Sequence, residues 1–231
     1  MNKSTFSLFF RCSILLLSLL FASCRAAAKN DSTAAEAAAA YKPDMARLRL
    51  HYEALKNHGY AEADTAILID GYDNKLFLVH SGSTGMNIIR SYDISVSKYG
   101  YGAARGSNQT PGGVHMIAGK YGKGQPLGMS FYDRRPTGEI AGIFTDTTDI
   151  EEDPVTSRIL WLKGLEEQNR TSYWRFIYIH GTHEEGLIGT PQSKGCIRMR
   201  NADIIELFDR VREGSYVNII EPDTLRSGEE L

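Results

Sequence analysis

The spacing of hydrophobic and polar positions changes twice along the chain. From Asp44 to His58 the apolar residues Met45, Leu48, Tyr52 and Leu55 recur every three or four positions, and Gly59 follows as a stop, which predicts one amphipathic helix. From Thr65 the pattern shortens into strands. Ala66 to Asp70 and Lys75 to His80 are apolar runs with turn chemistry between them in Gly71-Tyr72-Asp73-Asn74. Further strands are predicted over 88–96, 114–119 and 174–180, the last being the most aromatic and β-branched run of the chain. Helical spacing returns from Asn201 to Val211 through Ile204, Ile205, Phe208 and Val211, and Asp203 and Glu206 near its start favour the positive end of a helix. A strand over 216–220 ends at Pro222. The fold class is therefore mainly β with a few helices: a helix over 43–60, a domain over 65–221 and a tail over 222–231.

The N-terminal segment has a different logic. Lys3 and Arg11 precede an apolar run from Ser13 to Ala22, which reads as an export signal over 1–24. The run is shorter than the roughly 20 apolar residues of a membrane-spanning helix. It closes on Phe21-Ala22-Ser23-Cys24, which resembles the lipobox of bacterial lipoproteins, with Phe21 where Leu is usual. On that reading Cys24 becomes the lipidated first residue of the mature chain, anchored to a membrane and exported to the periplasm or cell envelope. The alternative is cleavage near Ala26-Ala27-Ala28 and release of a soluble protein. The alanine-rich stretch 25–42 reads as a tether.

Composition narrows the classes. With 231 residues, 42% of them hydrophobic and 23% charged, the chain has room for one sizeable core. A formal net charge of -2 lacks the basic excess that nucleic-acid binding requires. Of the three cysteines, Cys12 lies inside the signal and Cys24 at its end, so Cys196 is the one thiol of the mature domain. A solitary thiol in an oxidising compartment is a liability unless it is buried as a small apolar residue or used.

Its surroundings point to use. Tyr178-Ile179-His180-Gly181-Thr182-His183 and Ser193-Lys194-Gly195-Cys196-Ile197-Arg198-Met199 bring a thiol and an imidazole into two short segments. A free thiol ionises near 8.5, and a neighbouring imidazole can supply the base it needs near neutral pH. Cys196 is expected just before a helix and His180 at a strand end, with backbone N–H groups around Gly195 and Cys196 forming an oxyanion hole. Two other segments carry no such chemistry. Tyr99 to Gly113 is glycine-rich but lacks the Gly-Lys-Ser/Thr ending of a phosphate loop, and the acidic run Asp146 to Asp153 does not fit a calcium loop and reads as a solvated surface. No metal and no cofactor are called for.

The two chemistry-bearing segments resemble the YkuD-type L,D-transpeptidases, whose signature is His-Gly, a spacer, then Ser/Thr-x-Gly-Cys-x-Arg. Here 196 − 180 = 16 positions separate base from nucleophile, and Thr110-Pro111-Gly112-Gly113-Val114 resembles the family's upstream Thr-Pro-x-Gly strand, with His115 where an aromatic residue is frequent. The resemblance spans roughly residues 65 to 220. It implies a β-sandwich-type catalytic domain in which Cys196 attacks the bond before the terminal D-Ala of a peptidoglycan stem tetrapeptide. His180 moves the proton, and the Gly181 carbonyl orients the imidazole. An amine from a neighbouring stem then resolves the acyl-enzyme. Gly195, Ser193, Arg198, Thr182 and His183 are the candidate substrate or oxyanion-site residues. Arg198 could bind a substrate carboxylate or hold loop carbonyls, and His183 could touch substrate or be an exposed loop residue. Tyr132, Arg134, Arg135 and Arg158 lie in a middle segment that could form a lid. Three other activities compete: an L,D-carboxypeptidase using water as acceptor, a zinc hydrolase with His180, His183 and Cys196 as ligands, and a catalytically dead wall-binding module.

Overall fold

The computed structural model describes residues 41–61, 64–82 and 85–222. The chain divides into Met1–Asp44 and Met45–Leu231, and the second unit holds every helix and strand described. The export signal with Cys24, the tether up to residue 40 and residues 223–231 of the tail lie outside the described residues. Among the described residues no helix is long and apolar enough to cross a membrane.

Helix α1 (Met45–Lys56) buries Leu48, Tyr52 and Leu55, the three- and four-residue spacing read from the sequence. It packs on β1 (Thr65–Asp70) and β10 (Tyr216–Ile220). With α1 on one face and the core on the other, β1 is apolar without alternation. The chain then turns at Asn74, at φ 50°, with the Tyr72 N–H held by Asp70 Oδ1 at 3.0 Å, and enters β2 (Lys75–Gly82) and β3 (Gly85–Ser95).

The remaining strands are β4 (Gly113–Tyr121), β5 (Met129–Tyr132), β6 (Arg135–Ile140), β7 (Val155–Gly164), β8 (Tyr178–Gly181) and β9 (Ile197–Met199). One sheet runs β4-β10-β1-β2-β3-β9-β8-β7-β5-β6, and a β4–β7 pairing closes eight of these strands on themselves. Closure removes the edges of those strands, and the exposed hairpin β5–β6 remains as an appendage with Pro136 and Gly138 in its outer strand. Among the described strands, only β1–β10 and β8–β9 pair in parallel. Inside the ring lie Ile67, Ile69, Leu160, Leu162, Ile179, Ile197 and Met199, and α2 (Asn201–Arg210) lays Ile204, Leu207 and Phe208 against them.

The mainly β class with two helices follows the hydrophobic pattern. Three local expectations do not. The strand expected from Trp174 begins at Tyr178, because a turn closed by Arg175 N–H to the Thr171 carbonyl (2.9 Å) ends in a left-handed Phe176 at φ 56°. Cys196 leads into the short strand β9 rather than a helix, which starts only at Asn201. The middle segment is no single loop: it contains β5, β6 and the ring strand β7.

Candidate active site

Side chains alternate across a strand, so the inward Leu160, Ile179 and Ile197 turn their neighbours outward. On that outer face the register sets Ile159 of β7 beside His180 of β8, and His180 beside Arg198 of β9. Tyr178 lies two residues before His180, and Cys196 two residues before Arg198. The parallel β8–β9 pairing therefore brings the thiol to the Tyr178 end of β8. The Tyr178 N–H donates to Cys196 Sγ at 3.4 Å, and the thiol donates to the Phe176 carbonyl at 3.4 Å. Cys196 packs against an apolar cluster of Met129, Phe131, Ile159, Trp161 and Tyr178. Burial pushes the thiol up to about 11, against the pull of the Tyr178 N–H and the cations Arg198 and Arg175, so the resting sulfur is protonated.

His180 is buried, and its Nδ1 lies 2.8 Å from the Gly181 carbonyl. A carbonyl only accepts, so Nδ1 carries the proton and Nε2 is the basic nitrogen. Burial holds the imidazole below its ordinary pKa; the negative Asp153 and the Gly181 contact work the other way, and Arg198 adds to the depression. At neutral pH the ring is uncharged. Gly181 tolerates no side chain: a Cβ would meet Asn201 Oδ1 at 2.6 Å and the Thr156 carbonyl at 2.7 Å. Buried Asn201 ties this corner together, donating to the Thr182 carbonyl and accepting from the Thr156 and Ser157 hydroxyls.

The nucleophile loop is braced from within. Ser193 Oγ donates to the Cys196 carbonyl at 2.6 Å and accepts the Gly195 N–H at 3.2 Å, so that N–H is committed to the loop. Gly195 sits at φ 120°, where a side chain is strained, and Thr110 Oγ1 donates to its carbonyl at 3.1 Å.

Arg198 is buried with both ends of its fork on carboxylates, Glu184 Oε2 at 2.8 Å and Asp153 Oδ2 at 2.5 Å. Its partners are thus acidic side chains rather than loop carbonyls. Asp153 also accepts from Thr182 Oγ1 at 3.2 Å, and Glu184 from the Ile150 N–H at 2.6 Å. His183 is not an exposed loop residue: it is 6% exposed and packs edge-on against Phe144, with Nε2 3.6 Å from Glu184 and without a hydrogen-bond partner. Among the described residues, the one trio of His, Cys, Asp and Glu donors within 4.8 Å is Asp153, His183 and Glu184; His180, His183 and Cys196 do not form one. The Arg198 guanidinium already supplies the cation between those two carboxylates.

The family profile of the L,D-transpeptidase catalytic domain (YkuD) matches residues 64–219. The chain belongs to that family. A protein named as a probable L,D-transpeptidase, ErfK/SrfK of Salmonella typhimurium, is 51% identical over 47 residues, which is 20% of this chain and 15% of the relative. The match thus spans well under a fifth of that relative's length. Among solved structures, the L,D-transpeptidase of Mycobacterium smegmatis is 15% identical, with 68% of this chain and 58% of that chain covered at a TM-score of 0.42. An L,D-transpeptidase of Enterococcus faecium is 17% identical, with 68% and 50% covered at 0.42. The family acts on peptidoglycan peptides.

In this L,D-transpeptidase domain three further residues face the site, and sequence reading does not reach them. Asp153 and Glu184 hold Arg198; the signal for them is that a buried arginine demands counter-charges, but nothing in the spacing says which acids supply them. Arg175 donates to the Gly102 and Gln109 carbonyls at 3.1 and 2.7 Å and places a cation near Cys196. Of the middle-segment residues, Arg134 reaches the site. It occupies the hairpin turn at φ 64°, donates to Tyr178 OH at 2.9 Å and lies 4.5 Å over the Trp161 ring. Arg158 instead donates to the Gln125 carbonyl away from the thiol, and Tyr132 is 81% exposed. Between the β5–β6 hairpin and the segment 141–154 runs a cleft of about 600 Å³, with Phe131, Phe144, Glu139, Glu152, Asp153 and His183 among its walls.

Proposed function

We propose that the chain catalyses L,D-transpeptidation on peptidoglycan stem tetrapeptides, with Cys196 as nucleophile and His180 as proton acceptor and donor. One observation carries the reading: the Cys196 thiol, at the entrance to β9, accepts the Tyr178 N–H two residues before a neutral His180 imidazole whose tautomer is held by the Gly181 carbonyl. With its pKa at about 11 the thiol is scarcely ionised at pH 7, so its proton passes to His180 Nε2 as sulfur attacks the carbonyl before the terminal D-Ala. The C–N bond breaks, His180 returns the proton to the departing D-Ala nitrogen, and a thioester on Cys196 remains. An acceptor amine then attacks the thioester, forming the cross-link amide and restoring the thiol.

The test is incubation of the protein with purified stem tetrapeptides, followed by mass spectrometry of protein and products. The expected result is a Cys196 acyl adduct with loss of D-Ala, and cross-linked dimers. Cys196→Ala is expected to lower dimer formation at least a thousandfold. Retention of full activity in that variant would overturn the assignment, and accumulation of tripeptides without dimers would identify water as the acceptor.

A further inference from the structure

Besides glycine, the described residues with a positive φ are Asn74, Asn108, Asp133, Arg134, Ser157 and Phe176. Phe176, at φ 56°, is the one apolar member of that set, and so bulky a side chain is an outlier there. Hydrogen bonds over-determine its conformation. The Ile177 N–H donates to the Ser172 carbonyl at 3.1 Å and the Phe176 N–H to the Tyr173 carbonyl at 3.2 Å. That pair of bonds closes a helical turn through a left-handed residue, which is usually glycine. The ring is 48% exposed, so its burial does not explain the conformation. Strain of this kind persists where the surroundings fix it, and it clusters at active sites. Here its effect is to aim a carbonyl. The Phe176 oxygen accepts the Cys196 S–H at 3.4 Å, and the Tyr178 N–H, two residues on, donates to the same sulfur at 3.4 Å. The sulfur is pinned from two sides, by an acceptor for its proton and a donor to its lone pair, and neither bond runs to His180.

We infer that Phe176 is a positioning residue for Cys196: its left-handed backbone fixes the sulfur and parks the thiol proton on the Phe176 carbonyl in the resting enzyme. The inference rests on the acyl-transfer reading above, which supplies the step that this arrangement prepares. At rest the carbonyl stabilises the S–H form and opposes a negative sulfur. For attack the S–H bond swings about the Cβ–Sγ bond towards His180 Nε2 and breaks there. The proton goes to the imidazole, and the electron pair stays on a sulfur that the Tyr178 N–H still holds. The carbonyl neither gains nor loses a proton.

The S–H stretching band, read as the infrared difference between the protein and Cys196→Ala, reports the contact directly, because a carbonyl acceptor moves it below the frequency of a free thiol. Phe176→Gly, Phe176→Asn and Phe176→Val all remove the ring, but glycine and asparagine accept the left-handed φ and β-branched valine does not. The expected result is a lowered band in the wild type and in the Gly and Asn variants, and a return towards the free-thiol frequency in the Val variant. Relative to Gly, the Val variant is expected to react with iodoacetamide roughly fivefold faster at about pH 8, because the S–H form has lost its acceptor. Its acylation by tetrapeptide is expected to slow roughly tenfold in kcat with KM unchanged, because the sulfur is no longer fixed. A gain in one reaction with a loss in the other is not what a general structural defect produces. A free-thiol band in the wild type overturns the inference whether or not the Val variant folds, and equal bands and rates in Gly and Val overturn it too; a Cys196 acyl adduct in either case leaves the transpeptidase reading intact. Absence of any Cys196 adduct in the wild type, with the band lowered, overturns that reading and with it the catalytic role of Phe176.

Discussion

On the outer face of β8 and β9, two adjoining clusters treat charge in opposite ways. Cys196 and His180 are both neutral at pH 7, the thiol raised and the imidazole depressed by burial. Arg198, Asp153 and Glu184 are a buried ionic group with a shared guanidinium. Low-dielectric surroundings penalise any unpaired charge, so ions persist there only in company, and the reacting pair keeps its charge separation for the moment of attack. Asp153 and Arg198 act on both members of the pair with opposite signs, so the ionic cluster sets the level at which the neutral pair stays neutral.

Breaking the ionic side should have the largest effect. Arg198→Met leaves Asp153 and Glu184 facing each other, with Glu184 fully buried. Removing one partner of a buried ion group costs about 3–5 kcal/mol, because the remaining charge is uncompensated. The expected outcome is a correspondingly lower unfolding free energy in urea at pH 7. A loss below 1 kcal/mol would mean that the cluster is solvated and does not act as a buried ionic unit.

A neutral histidine remote from the thiol sharpens the contrast. His115 is fully buried, with Nδ1 2.9 Å from the Gly113 carbonyl and Nε2 2.9 Å from Ser172 Oγ, and burial lowers its pKa to about 4. In the unfolded chain an imidazole protonates near 6.5. The stability this neutral ring contributes is therefore fully present above about pH 6.5 and is lost as pH falls towards 4. Linkage over that interval amounts to on the order of 3 kcal/mol. Urea midpoints at pH 7 and pH 4.5 should show the decline, and His115→Gln, which carries no titrating group, should flatten it. An equal decline in both proteins would assign the acid sensitivity elsewhere.

The neutral pair and the ionic cluster were unequally visible in the sequence. His180 and Cys196 stand out because a rare thiol and an imidazole occur in glycine-punctuated segments, where Gly181 has no room for a side chain and Gly195 sits at a φ of 120° that strains one. Asp153 looks like every other acid in its run, from which it differs by lying within reach of Arg198, a contact 45 residues away in sequence (198 − 153). The ring followed the same division. Strand β1 is a plain apolar run, whereas β7 continues after Val155 with the polar Thr156, Ser157 and Arg158, and Ser157 sits at φ 61° where the β7–β8 register shifts. Those polar residues are buried because Asn201, Gly128 and Gln125 supply partners from distant segments, information that no local period contains. His115, read as a departure from an aromatic strand position, is a buried polar core residue for the same reason.

A subtler intervention tests whether the ionic cluster tunes the neutral pair or only supports it. Asp153→Asn keeps the size of the side chain and a group that can still accept from Thr182 Oγ1, but removes the negative charge. That charge raises both the Cys196 and the His180 pKa, and Arg198, released from one of its two carboxylates, lowers both further. The thiol should therefore ionise more readily and the imidazole become a weaker base. Iodoacetamide alkylation followed against pH is expected to move its midpoint down from about 11 by about one pH unit. Acylation by tetrapeptide at pH 7 should slow, since His180 accepts the proton less readily in the variant. A merely structural Asp153 would change the protein's stability and the amplitude of alkylation and leave the midpoint where it was. An unmoved midpoint in a folded variant would therefore separate the two clusters electrostatically and confine Asp153 to holding Arg198 in place.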